Sequence, residues 1–237
     1  WIWLIMLCVK LVNHYTVFKN KRRSDAYSPG GKAGLRPDRA VTVYSNRIRE
    51  AYKDVPVIIG GIEASLRRFS HYDYWSDSVK RSVLLDSGAD LLVYGMGEKA
   101  LIEIAQALES GIPIEEITFV NGTVYKTKDR DRPYSPIFLP SYNEVVSSKK
   151  KFGDSFKIQY ENTDSKSAGT LVEQYDTVYV VQNPPMEILS QQELDDIYDM
   201  DYTMNYHPMY KNSGIPALNE VKFSITSVRG CFGGCSF

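Results

Sequence analysis

The apolar positions of this chain change period as it runs, and the changes mark its elements. Pro56–Gly61, PVIIGG, is a continuous apolar run closed by glycines, which suits a buried parallel strand followed by a tight turn. Before it, Val43, Ile48, Ala51 and Tyr52 recur at helical spacing with Arg47, Arg49 and Glu50 opposite, predicting a helix over Val41–Lys53. After it, IEASLRRF opens a second helix. The theme repeats: a helical stretch over Asp77–Asp86, an apolar strand over Ala89–Gly95, and a periodic helix, GEKALIEIAQALESG, ending at Gly111. Alternating strand and helix predicts an α/β fold with a parallel sheet and helices on its faces.

Beyond Gly111 the pattern is less regular. ITFVNGTVYKT, Ile117–Thr127, places Asn121-Gly122 between alternating apolar residues, the signal of a type I′ hairpin, and predicts an antiparallel edge. Lys126–Ser167 is polar, carries the run Lys149–Lys151, and reads as a connector with a short helix after Pro140. DTVYVVQNPP, Asp176–Pro185, is a strand stopped by prolines. Ser190 with Glu193 three residues on forms a capping-box start for a helix. VKFSIT, Val221–Thr226, alternates as a strand and runs straight into SVRGCFGGCSF.

Composition narrows the classes. The 237 residues are 43% hydrophobic and 24% charged, ordinary for a globular chain and unlike disordered or collagenous sequences. With 28 Lys+Arg against 29 Asp+Glu the formal net charge is −1, so no global field attracts nucleic acid, and any such contact would need a local patch. The apolar opening Trp1–Val12 is interrupted by Lys10, is shorter than the roughly 20 residues of a membrane helix, and lacks the flanks of a signal peptide. A cytoplasmic protein without membrane contact is expected. The missing initiator Met and the stop at Phe237 inside a cysteine-rich loop suggest a piece of a longer chain. Three cysteines, Cys8 far from Cys231 and Cys235, do not indicate a disulfide framework.

Several segments offer weak chemical signals. Lys19–Arg39 is basic and rich in Gly and Pro, hence a loop; its Gly-Gly-Lys is not a Walker A motif, because Ala26 stands where a glycine is required. Gly95-Met96-Gly97-Glu98-Lys99-Ala100 fits the dinucleotide pattern G-x-G-x-x-A between strand and helix, but the acid expected to end the next strand is missing, which favours a structural turn. Arg67–Asp77, RRFSHYDYWSD, concentrates arginines, aromatics, His71 and acids; it reads either as a functional loop or as aromatic anchors with solvated charges. His71 with Asp73 and Asp77 matches no zinc spacing.

The terminal loop is the strongest signal. Cys231 and Cys235 are three residues apart, two of them glycines, so the backbone can wrap and turn both thiolates toward one object. Soft thiolates select zinc, copper or iron–sulfur clusters. Structural zinc would need two further ligands, and His207 is the only histidine nearby in sequence.

GCFGGCSF, with Cys231, Cys235 and Phe237, resembles the start of the radical-SAM signature C-x-x-x-C-x-φ-C. VNHYT, RSDAYSPGGKAGLRPDRA, VYSNRIREAYKDVPVIIGGIEASLRRFSHYDYWSD and ADLLVYGMGEKA resemble the amino-terminal part of the YgiQ family of radical-SAM proteins, and the likeness covers nearly all of Val12–Phe237. This resemblance implies an α/β, Rossmann-like domain similar to cobalamin-binding domains, followed by the first strand and cluster loop of a radical-SAM partial (β/α) barrel. It divides the chain into a divergent start (1–12), the α/β domain (13–127), a connector (128–216) and the barrel start (217–237). It further implies that Cys231 and Cys235 ligate a [4Fe-4S] cluster, that Phe237 lies against the adenine side of S-adenosylmethionine, and that an electron donor and a substrate of unknown identity are partners.

In such enzymes the reduced cluster cleaves S-adenosylmethionine to start radical chemistry, with the protein holding the cofactor and excluding water. No residue here is assigned a catalytic role, and the segment binding the methionine amino group is absent, so this piece alone is expected not to turn over. The cobalamin motif D-x-H-x-x-G is also missing: Val12, Phe69 and Asn205 stand two residues before His14, His71 and His207, and bound cobalamin is not expected. Two other readings stay open: a non-catalytic α/β binding module, for RNA through Lys19–Arg39 and the aromatic loop, and a structural zinc site at the cysteine pair.

Overall fold

The computed structural model describes residues 3–6 and 18–225. The chain divides into two compact units, Trp1–Val9 with Ala40–Ile188, and Lys10–Arg39 with Leu189–Phe237.

The larger unit is built on one seven-stranded sheet. Its elements in chain order are β1 (Trp3–Met6), α1 (Ala40–Ala51), β2 (Val57–Gly60), α2 (Gly61–Leu66), β3 (His71–Asp73), β4 (Ser78–Lys80), α3 (Val83–Asp86), β5 (Leu91–Val93) and α4 (Glu98–Glu109). There follow β6 (Thr123–Thr127), β7 (Ile137–Phe138), α5 (Tyr142–Ser147), α6 (Lys149–Glu161), β8 (Leu171–Tyr175) and β9 (Val178–Gln182). The sheet order is β1-β2-β5-β6-β9-β8-β7, with β3 and β4 forming a separate antiparallel pair.

The expected α/β architecture is present. β1, β2 and β5 pair in parallel, and β2 and β5 are buried throughout. Continuous apolar runs suit this position because both faces of the strand are covered. Val57, Ile59, Leu92, Val124, Leu171 and Val180 belong to one core cluster with Val41, Ala64, Phe69 and Leu84 from the helices and loops; Ile58, Leu91, Val93, Tyr125, Val172 and Val181 belong to a second with Ala100, Ile104 and Ala107 of α4. Neighbouring residues of one strand enter opposite clusters, as the two-residue repeat of a strand requires.

The other half of the sheet departs from the expected parallel arrangement. β6 pairs antiparallel with both β5 and β9, and so occupies the middle of the sheet rather than an antiparallel edge. Ile117–Val120 does not form the first arm of a hairpin. Asn121-Gly122 instead joins segments: Gly122, at φ 71°, accepts from the Tyr94 N–H at 2.9 Å and donates to the Pro184 carbonyl at 2.8 Å. The turn signal was real, but its backbone groups pair with distant strands.

Much of the stretch expected as a connector, 128–216, lies within this sheet. β8 and β9 form the hairpin that the Asn-Gly pair does not, through Asp176 and Thr177, with Tyr175 opposite Val178 and Asp176 at φ 51°. The run Lys149–Lys151 opens α6, capped by the Ser148 side chain. The short helix after Pro140 is α5, with a capping box from Ser141 and Glu144. Trp3–Met6, within the expected divergent start, adds a strand beside β2. Asp77–Asp86, expected as a helix, is split: Ser78–Lys80 pairs with β3, and only Val83–Asp86 is helical, behind the cap Ser82.

The smaller unit carries α7 (Gln191–Tyr198) with the expected Ser190–Glu193 capping box, and α8 (Ala217–Val221). The strand expected over Val221–Thr226 is not formed by its described residues. Val221 closes α8, whose ladder continues to the Lys222 N–H, and Ser224 bonds back to the Val221 carbonyl at 3.0 Å. Local helical and turn hydrogen bonds there replace any pairing with a neighbouring strand.

Candidate functional site

Cys231, Cys235 and Phe237 lie outside the described residues, so the structure gives no geometry for the proposed cluster loop. Among the described residues no group of three or more His, Cys, Asp or Glu side chains is arranged to hold a metal ion. The polar chemistry that the structure does display is gathered around Arg67–Asp77 and the adjoining strand ends.

Gly60, which ends β2, and Gly61, at φ 81°, turn the chain into α2, which brings Glu63 into the interior at 0% exposure. A buried carboxylate must be paired or neutralised. Glu63 accepts from Arg67 Nη1 at 3.1 Å and from the Val41 N–H at 3.4 Å. Arg67 also lies 3.9 Å from Asp73 of β3. The Arg67 side chain is only 11% exposed, and its guanidinium ties the short β3–β4 hairpin to α2.

The next arginine turns elsewhere. Arg68 Nε donates to Gln182 Oε1 at 2.6 Å and Nη1 donates to the Ser65 carbonyl at 2.5 Å. Its guanidinium carbon stands 5.3 Å from the centroid of the Tyr94 ring, in a cation–π arrangement. Burial drives the Tyr94 hydroxyl well above its usual range, with Arg68 acting in the opposite direction. That hydroxyl donates to the Asn183 carbonyl at 2.7 Å.

A second buried acid supports the loop from β8, on the face of the sheet that also carries Phe69, Leu171 and Tyr175. Glu173, at 0% exposure on β8, accepts from the Ser70 N–H at 2.8 Å, from the Ser70 hydroxyl and from the Tyr175 hydroxyl. Burial raises its carboxyl above the usual range, the three hydrogen bonds opposing the shift. Tyr175 OH also accepts from the Ser82 N–H at 3.2 Å, and burial foremost, then the neighbouring Glu173, pushes it well up.

His71 is held down to about 4, mainly by burial, although its Nδ1 lies 3.1 Å from the Phe69 carbonyl. It is therefore neutral at pH 7. Of the aromatics in this loop Phe69 is core, at 1% exposure, while Tyr72 and Tyr74 are exposed. The loop thus combines both readings its composition allowed: one anchored face and one aromatic face in solvent.

The other two sequence signals have structural contacts of their own. At Gly97 a Cβ would stand 2.9 Å from Val93 Cγ1, so the second glycine of Gly95-Met96-Gly97 is required by helix–strand packing. In the basic loop, Pro29–Gly31 forms a single 3₁₀ turn. Burial opposes the charge of Asp25, yet Arg36, Ser28 and the Tyr27 N–H hold its carboxyl below the usual range. Arg36 is thereby committed within the loop, at 2.6 and 2.8 Å from the Asp25 oxygens.

Residues 8–224 match the Radical SAM N-terminal family along almost the whole chain. The chain belongs to that family. It is similar to a UPF0313 protein of Clostridium botulinum, 57% identical over 228 residues, and to a UPF0313 protein of Clostridium perfringens, 53% identical over 229 residues. Each alignment covers 96% of this chain and 35% of the relative, so the chain spans about a third of the length of the curated relatives it matches. No solved structure matches it. Membership in the Radical SAM N-terminal family bears out the YgiQ-type likeness, and the buried polar set around Arg67, Arg68 and Glu173 falls inside the matched region. Sequence inspection singled out the arginines but missed Glu63, Gln182 and Glu173. The strand LVEQY carries one sign of the last: Glu173 falls two residues from Leu171 and from Tyr175, on the apolar side of the strand's alternation.

Proposed function

We propose that this chain belongs to a radical-SAM enzyme in which Cys231 and Cys235 supply two thiolate ligands to a [4Fe-4S] cluster and Phe237 packs against the adenine side of S-adenosylmethionine. The observation that carries this reading is the Cys231-x-x-x-Cys235-x-Phe237 spacing in a chain of the Radical SAM N-terminal family. The donor set suits the group: thiolates are the ligands iron–sulfur clusters select, and the flanking Gly230, Gly233 and Gly234 leave room for close approach of the backbone. When bound, such a cluster supplies the electron that cleaves S-adenosylmethionine reductively.

The chain's own contribution is positioning. The thiolates at 231 and 235 would hold the irons and the aromatic at 237 would orient the cofactor, while the buried ion pairs of the α/β unit hold that unit's own elements together. Substrate, product and reductant belong to the whole protein. No helix among the described residues is long and apolar enough to cross a membrane.

The test uses the natural full-length protein, reconstituted anaerobically with iron and sulfide. Broad visible absorbance of a cluster and 5′-deoxyadenosine formed from S-adenosylmethionine and a reductant are expected. Zinc in place of iron, or no nucleoside product, would sink the reading.

A further inference from the structure

Arg68 is the one strongly buried cation of the α/β unit whose described partners are all neutral. Its neighbours are an amide oxygen (Gln182), a backbone carbonyl (Ser65) and an aromatic face (Tyr94). Among the described residues no carboxylate lies within 4 Å of it, and Nη2 has no hydrogen-bond partner. By contrast Arg67, the adjacent residue, has Glu63 and Asp73, and Arg49 has Asp90. A guanidinium does not lose its proton, so a buried one without a counter-charge carries a desolvation cost that its neighbours here do not offset. Burial indeed presses its affinity for the proton down, with only the Tyr94 hydroxyl opposing.

Its place in the fold matters. β5 and β9 both run antiparallel to β6, and therefore run in the same direction, parallel to β2. Ser65, Tyr94 and Gln182 follow or end these three strands, so Arg68 sits at their common carboxyl edge. Open α/β sheets bind ligands at this edge. The Gly95-Met96-Gly97 turn adjoins it: the hydroxyl of Ser65, in the last turn of α2, accepts from the Gly95 N–H at 3.3 Å, while the Ser65 carbonyl accepts from Arg68. Gly95 and Met96 are exposed, and Arg68 keeps partial contact with solvent, so the free edge of the guanidinium is reachable.

We propose that Arg68 is the anchor of an oxyanion-binding site at the carboxyl edge of β2, β5 and β9, which takes a carboxylate or phosphate group through its unpartnered Nη2 edge. The planar fork suits either anion, and Gln182 and Tyr94 fix the guanidinium in one orientation before the ligand arrives. The proposal uses none of the cluster ligands, and its test does not involve cluster loading.

The experiment is thermal unfolding of the natural full-length protein in inorganic phosphate, in acetate and in chloride, each at matched ionic strength. A ligand that binds the folded state raises the melting temperature with a saturating dependence on its concentration. A saturating rise in phosphate alone assigns a phosphoryl ligand, and a rise in acetate as well assigns a carboxylate. Arg68→Gln should abolish the rise while leaving the general salt effect seen in chloride. Should Arg68→Gln not fold, Arg68→Lys, which keeps the charge but not the fork, should shift the half-saturating concentration roughly tenfold upward. No rise beyond chloride with either anion, a rise that persists in Arg68→Gln, or an unshifted midpoint in Arg68→Lys would each overturn the proposal.

Discussion

Ser70 and Glu173 are 103 residues apart in the chain, yet the Ser70 backbone N–H and hydroxyl both donate to the Glu173 carboxylate in the interior. This contact joins the aromatic loop after α2 to β8, a strand on the opposite flank of the sheet. It makes the loop's position depend on a strand formed much later in sequence, and it makes a buried acid part of the loop's support.

Because burial raises the Glu173 carboxyl above its unfolded value, the folded state holds that proton more tightly than the unfolded state does. Its contribution is complete below the ordinary carboxylate range and is lost as pH rises through the raised value. Glu173→Gln should flatten this decline of stability with pH, measured by urea unfolding between acid and neutral pH. Glu173→Ala, which strands the Ser70 N–H and the Tyr175 hydroxyl, should cost about 3 kcal/mol.

His71 has the opposite sign. With its proton affinity held down to about 4 from an ordinary 6.5, it is neutral in the folded state while the unfolded chain takes up a proton. Its contribution is present above pH 6.5 and is lost as pH falls toward 4, by about 3 kcal/mol. His71→Gln should remove that part of the slope in equilibrium unfolding.

Asp90 Oδ2 accepts from the Val57 N–H at 2.7 Å and from Arg49 Nη2, locking α1 to the start of β2. Asp90→Ala leaves a buried backbone donor and a cation without their acceptor and should destabilise by about 2–3 kcal/mol. Asp90→Asn can keep the backbone bond and should cost less. Chemical denaturation of the two variants side by side checks the ordering.

Gly97→Ala places a methyl 2.9 Å from Val93 Cγ1 at a φ of −92° that any residue accepts, so its cost is packing alone, about 1–3 kcal/mol. A loss of dinucleotide binding is not expected from it. A lowered melting temperature with unchanged circular dichroism would support the packing role.

Cys235→Ala in the natural full-length protein should lower the iron retained after reconstitution while leaving the fold of the α/β unit intact. Iron content equal to that of the unsubstituted protein would remove Cys235 from the ligand set.

Local patterns were legible where local physics decides. PVIIGG and ADLLVYG announced β2 and β5 because a strand covered on both faces is apolar at every position. The period of α4 and the capping box of α7 are complete within a few residues of chain, so no distant partner was needed to read them. The polar set was legible only in part. Arg67, Arg68 and His71 stood out by composition, but Gln182, the partner of Arg68, and Glu173, the partner of Ser70, come from strands more than 100 residues away.

The sequence by itself determined the α/β class, the family likeness, the cysteine spacing and the elements whose burial repeats in register with their own backbone. Tertiary structure alone decided that Asn121-Gly122 links β6 to Tyr94 and Pro184 instead of folding a hairpin, that β6 lies mid-sheet, and that β8 exists as a strand. It also decided that neighbouring arginines differ, Arg67 meeting two carboxylates and Arg68 none among the described residues. The physical reason is the same in each case: strand pairing and charge neutralisation are set by groups far apart in the chain, and a backbone donor or a buried charge takes the partner that folding brings to it, not the one beside it in sequence.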